Sequence, residues 1–127
     1  MPAITDLQLL LSTLQPVLHP APYGYAVTET PVPGTFATVA EDEGRTVIAP
    51  HAALGAAGVD AGTEWARISL TVHSDLAAVG LTAAFARALA DHGISANVVA
   101  GFHHDHIFVP WTRRHDALAA LQELSRA

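Results

Sequence analysis

The chain has 127 residues, no cysteine, six Arg, no Lys and a formal charge of −6. That excludes disulfides, thiolate metal sites and Cys nucleophiles, and it denies the chain the basic stripe that nucleic acid or an anionic membrane surface requires. Half of the residues are apolar and 14% are charged, which implies a buried core in one compact domain, or in two small subdomains sharing it.

Thr5 and Asp6 precede Leu7, Leu10, Leu11 and Leu14, a capped amphipathic helix by its spacing, stopped by Pro16. Its apolar run around Leu9–Leu11 is too short to span a bilayer and lacks a basic flank, so a cytosolic location is expected. Pro16, Pro20, Pro22, Pro31 and Pro33 forbid helix through the next stretch, within which Tyr23 to Thr28 has strand composition. Phe36 to Ala40 and Thr46 to Ala49 read as hairpin arms joined by Glu41 to Gly44. Pro50 opens a short Ala-rich helix ending near Gly55 or Gly58, and the polar link Asp60 to Thr63 marks the boundary between halves 1–62 and 63–127.

From Trp65 the chain alternates: Ile68, Leu70 and Val72 share one face, and Arg67, Ser69, Thr71 and His73 the other. A Gly-containing turn leads to a helix with Leu81, Phe85, Ala88 and Leu89 on its apolar stripe, capped by Gly93. Ile94 to Val99 and His106 to Val109 read as strands, and Thr112 as the cap of a last helix with Leu118, Leu121 and Leu124 as its seam. The order predicts an α+β, ferredoxin-like antiparallel sheet with helices packed on one face.

Two places carry chemistry. The turn Ser74, Asp75, Leu76, Ala77, Ala78, Val79, Gly80, Leu81 leaves backbone N–H groups at a helix start, which suits a carboxylate, while an acidic side chain or carbonyls suit an ammonium; Gly80 permits close approach to the backbone. Ser74 and Asp75 serve equally as simple helix caps. The run His103, His104, Asp105, His106 offers metal-ligand types, but alternation splits it between two faces and leaves at most His104 and His106 together, with His73 a possible third. The preferred reading makes His104, Asp105, His106 and Ile107 one wall of a ligand pocket. Ser74 lacks the Gly-x-Ser-x-Gly frame, so no catalytic residue is assigned. His19, His51, His92 and His115 read as surface or helix-end residues, and Arg113 and Arg114 as solvated, with pairing to Asp116 or to a partner chain as the alternative.

The pattern of residues 65–109 resembles the ACT domain, a βαββαβ module that binds amino acids and regulates metabolic enzymes. The match rests on Val79-Gly80-Leu81, Gly93-Ile94-Ser95-Ala96-Asn97 and His104-Asp105-His106-Ile107-Phe108-Val109-Pro110. Pro16-Val17-Leu18, Tyr23, Glu43-Gly44 and Val47-Ile48-Ala49-Pro50 extend it more weakly over the first half, as in stand-alone bacterial proteins with two fused ACT-like halves. The resemblance implies an amino-acid sensor without catalytic activity or cofactor, with Asn97 and Val98 added to the pocket, a homodimer, and a metabolic enzyme as partner. A ligand-free interaction module and, further off, a metal- or His-dependent enzyme are the alternatives. Two departures stand out: the second half lacks its final strand, and the first begins with a helix. The halves are therefore expected to interlock, with a strand borrowed from the first half or from another chain.

Overall fold

The computed structural model describes residues 7–71 and 80–126. Its elements are α1 (Leu7–Ser12), β1 (Pro16–Leu18), β2 (Tyr23–Val27), β3 (Ala37–Glu41), β4 (Gly44–Pro50), α2 (His51–Ala56), β5 (Trp65–Leu70), α3 (Leu81–Asp91), β6 (Asn97–Ala100), β7 (Asp105–Pro110), a 3-10 turn (Trp111–Arg113) and α4 (Arg114–Arg126). The proposed cap residues Thr5 and Asp6 lie outside the described residues.

All strand pairs are antiparallel, and the sheet runs β3-β4-β2-β5-β7-β6 with β1 also paired to β5. That order is a near two-fold repeat. β2, β3 and β4 correspond to β5, β6 and β7, and the two sets meet where Tyr23 faces Trp65. The anchoring hydrogen bonds repeat as well. His51 N–H donates to Pro22 O at 2.9 Å, and Trp111 N–H donates to Glu64 O at 3.1 Å, each from the residue after a strand-ending proline. Tyr23 pairs with Pro50 as Trp65 pairs with Pro110.

The missing final strand of the second half is supplied within the chain: β1 lies beside β5 in the register Pro16↔Leu70 to Leu18↔Ile68. Pro16 tolerates this place because it stands first in a three-residue strand. β5 in turn extends the first-half sheet at Trp65. The two halves therefore exchange edges, as the sequence led us to expect.

The face carrying Ala66, Ile68, Leu70, Ile107 and Val109 is covered by Leu81, Phe85 and Leu89 of α3 and by Ala117, Ala120 and Leu121 of α4, all buried. Each fully buried Leu, Ile or Phe here contributes about 1.5–3 kcal/mol. Leu118 flanks the α4 seam, which small Ala residues form in its place and so let the helix approach closely. α2 covers the same side of the first half through Leu54 against Val47 and Ala49. Both α2 and α3 end in the same way. Gly58 (φ 76°) and Gly93 (φ 69°) occupy the left-handed position, while Val59 and Ile94 donate backbone N–H groups to Leu54 O and Leu89 O, both at 2.9 Å. This closure makes Ile94 a core plug and not the first residue of a strand, so β6 begins three residues later than its composition implies.

The other face curls. β3 and β7 are four steps apart in the sheet, about 19 Å if it were flat. Yet the ring of Phe36, next to β3, lies 5.8 Å from that of Phe108 on β7 and 4.9 Å from that of His106. The helix-free face is thus concave, lined by Tyr23, Tyr25, Phe36, Trp65 and Phe108.

Candidate functional site

Of the residues expected to form a pocket, Ser74, Asp75, Leu76 and Val79 lie outside the described residues, as does His73. Gly80 is the N-cap of α3 with φ 98°, and among the described residues no side-chain cap bond meets this helix start. A Cβ on Gly80 would stand 3.1 Å from the Leu7 side chain, so α1 backs onto this corner. Leu81 and Ile107 are core side chains, 4% and 0% exposed, which confines any role at a site to their backbones.

Strand pairing sorts the rest by face. Asp105 stands opposite both Leu70 and Ala100, on the face of Ile107 and Leu70 and at the end where β5 leaves toward α3. Val98 faces Ile107 on the same side. Asn97 faces Phe108, and His106 faces Ser69 and Val99, so these two look onto the concave, helix-free side. His104 is exposed in the turn before β7. The structure therefore places Gly80, Leu81, Val98, Asp105 and Ile107 on one side of the sheet, and Asn97 and His106 on the other.

On the helix side the arrangement pairs a helix start, favourable to negative charge, with the Asp105 carboxyl at the same end of the sheet. Burial pushes the pKa of Asp105 up, and the neighbouring His104 opposes this. The pairing has the polarity of a free amino acid.

On the concave side sits a network that sequence reading missed. Arg67 Nη1 donates to Tyr23 Oη at 2.9 Å, and Arg67 Nη2 to His106 Nδ1 at 3.3 Å. Its guanidinium lies over the Phe36 ring, 4.0 Å from the centroid, and beside that of Tyr23 at 5.5 Å. Ser69 Oγ is 2.9 Å from His106 Nδ1 and 2.8 Å from His19 Nε2. Arg can only donate, so His106 Nδ1 accepts and its proton is on Nε2. Ser69 O–H then donates to that same nitrogen and accepts from His19 Nε2–H. Burial first, then the fields of Arg67, His104 and His19, lower the His106 pKa to about 4. Burial and Arg67 lower that of His19 as well. The network therefore carries a single positive charge at neutral pH.

The strand alternation already put Arg67 and Ser69 on one face. Placing His19 with them needs the β1–β5 pairing, in which His19 N–H donates to Arg67 O at 2.9 Å; His19 is thus no isolated surface residue. Two further expectations are corrected. Arg113 is not solvated: it ion-pairs with Asp116 at 3.1 Å and donates to His92 O at 3.1 Å, tying α4 to the end of α3. Arg114 is likewise stacked, 3.9 Å over Trp111. Thr112 does not cap the last helix, because a 3-10 turn entered from Pro110 begins it. Among the described residues, no group of three or more His, Asp or Glu is placed to hold a metal ion, and no helix is long and apolar enough to cross a membrane.

Two family models described as ACT domains match the chain, one over residues 2–65 and the other over residues 61–123. No curated protein matches. Among solved structures, a Vibrio cholerae protein of unknown function, described as a possible transport protein, is similar at 42% identity. That match covers 94% of this chain and 95% of the other, with a TM-score of 0.83. A protein from Agrobacterium tumefaciens matches at 15% identity over 88% and 89% of the two chains, with a TM-score of 0.70. The regulatory subunit of aspartate kinase from Thermus thermophilus matches at 13% identity over 88% and 97%, with a TM-score of 0.61; these two likenesses are of fold. With three strands repeated in the same spatial order in each half and an ACT match on each half, the chain belongs to the ACT-domain family as a tandem pair of such domains.

Proposed function

We propose that the protein is a non-catalytic regulatory sensor that binds a free amino acid at the start of α3 and passes occupancy on by a change of shape or association. ACT domains are small-molecule-binding regulatory modules, and the amino-acid ligand is our reading for this chain. The observation that carries it is the placement of Asp105 and the glycine-capped start of α3 on one face and at one end of the sheet. The α-carboxylate would meet the backbone N–H groups following Gly80, and the ammonium the Asp105 carboxylate. The segment Ser74, Asp75, Leu76 and Val79 completes the proposed receptor, with Val98 beside it. A homodimer acting on a metabolic enzyme is the proposed setting.

A thermal-shift screen of the twenty amino acids tests this. A ligand selective for the native state raises the midpoint, by about 2.7 kcal/mol of stability at a hundredfold excess over Kd. The rise should shrink in Asp105→Asn. Flat responses to all twenty would refute the reading. A ligand-free docking module is the second reading. It is favoured by Phe102, 76% exposed at the β6–β7 turn, and by the uncharged edge strand β6 beside it.

A further inference from the structure

The concave face poses a problem that the amino-acid reading leaves untouched. Arg67 is half-buried, and among the described residues it has no carboxylate partner within ion-pair distance. Among the described residues its side chain donates to neutral acceptors, Tyr23 Oη and His106 Nδ1, and its buried Nε has no hydrogen-bond partner there. A guanidinium has five N–H donors and keeps its proton throughout the pH range of folded proteins. Desolvating one without a counter-charge is costly, and a buried donor without a partner adds to that cost. The neighbouring groups do not relieve it. His19 and His106 are held neutral, Ser69 is 8% exposed with its hydroxyl already committed, and Phe36 and Tyr23 offer only ring faces and one phenol oxygen.

We propose that the helix-free face holds a small monoanionic carboxylate against the Arg67 guanidinium, with His106, Ser69 and His19 as the polar wall around it. Arg67 and His106 are half-buried, so part of each residue meets solvent. The charge of the network selects the class. One fixed positive charge beside two neutral imidazoles balances one negative charge. A phosphate dianion would leave surplus negative charge among Tyr23, Phe36 and Phe108, where solvent screening is weak. Guanidinium and carboxylate also match in shape, each planar and able to form paired N–H···O bonds. The position is on the opposite face of the sheet from Gly80 and Asp105, so it is a second site, and its failure would leave the amino-acid reading standing.

The test is a titration of the full chain with sodium acetate, with sodium chloride replaced to hold ionic strength constant, followed on the histidine imidazole resonances by NMR at pH 7. Saturable shifts should appear at His19 and His106, while His51, His92 and His115 stay in place. Affinity should fall at least about tenfold in Arg67→Gln, as expected when a charge-assisted pair is removed. Because removing a stacked guanidinium can unfold the protein, the wild-type titration is decisive by itself. Shifts no larger than those in chloride alone, equal shifts at all histidines, or phosphate binding at least as tightly as acetate would each overturn the proposal.

Discussion

The depressed pKa of His106 makes folding stability depend on pH in a way that can be worked through. In the folded chain burial and the fields of Arg67, His104 and His19 hold it at about 4, against an ordinary value of 6.5. The unfolded chain therefore binds a proton that the folded one refuses in the window between about 6.5 and 4, and stability falls as pH falls through that window. At about 1.4 kcal/mol per pKa unit the ceiling is about 3 kcal/mol, and water screening of a half-buried ring reduces this to the order of 1–2 kcal/mol. His19, also lowered, adds with the same sign. Asp105, whose pKa is raised, protonates first in the folded state and works in the opposite sense. The comparison that isolates His106 is wild type against His106→Asn, whose side-chain oxygen can still accept from Arg67. Urea unfolding followed by the fluorescence of Trp65 and Trp111 at pH 7 and pH 4.5 gives the two slopes. We expect the variant to lose about 1–2 kcal/mol less than wild type between those pH values. Equal losses, or an NMR midpoint for His106 near 6.5, would refute the argument.

Further outcomes follow from packing and charge. Gly24→Ala should destabilise by about 1–3 kcal/mol in denaturant melts, because its Cβ would stand 2.7 Å from the Ala61 carbonyl oxygen and 2.8 Å from Leu54 Cδ1. Phe85→Ala removes a fully buried ring between α3 and the sheet, and should cost about 3–5 kcal/mol by the same measurement. Any amino acid found to stabilise the wild type should bind more weakly as acid protonates Asp105, whose pKa burial raises. A calorimetric titration across pH should show this fall, and Asp105→Asn should abolish it.

Much of the fold was legible because its signals are local. Leu81, Phe85 and Leu89 recur at helical spacing, Ile68 and Leu70 alternate with Arg67 and Ser69, and the glycines that end α2 and α3 are backbone requirements written as single letters. The strand β1 was not read as such, because three residues opened by proline carry no periodicity of their own and gain their structure from β5. The candidate sites divide in the same way. The start of α3 is a local feature and was foreseen. Asn97 was grouped with it by family likeness, yet its pairing with Phe108 turns it to the other face. The Arg67 network draws on the β1–β2 link, β2, β5, β7 and Phe36, and that convergence exists only once the sheet has closed and curled.

The near two-fold repeat sets both candidate sites mainly in one half. Superposing the pairs Tyr23↔Pro50 and Trp65↔Pro110 sets Tyr25 against Arg67, Val27 against Ser69, and Thr46 against His106. The first half thus has hydrophobic or weakly polar side chains where the second has its charged network. Between β5 and β6 the second half carries α3, whereas the link between β2 and β3 contains no helix and ends instead at Phe36. That difference has a consequence across the sheet, for Phe36 reaches over the concave face and stacks on Arg67. The half without a helix between its first two strands supplies the cover and the edge for the half that has one. Both candidate sites, on opposite faces, accordingly belong to residues 65–109, with the first half supplying His19, Tyr23 and Phe36 as walls.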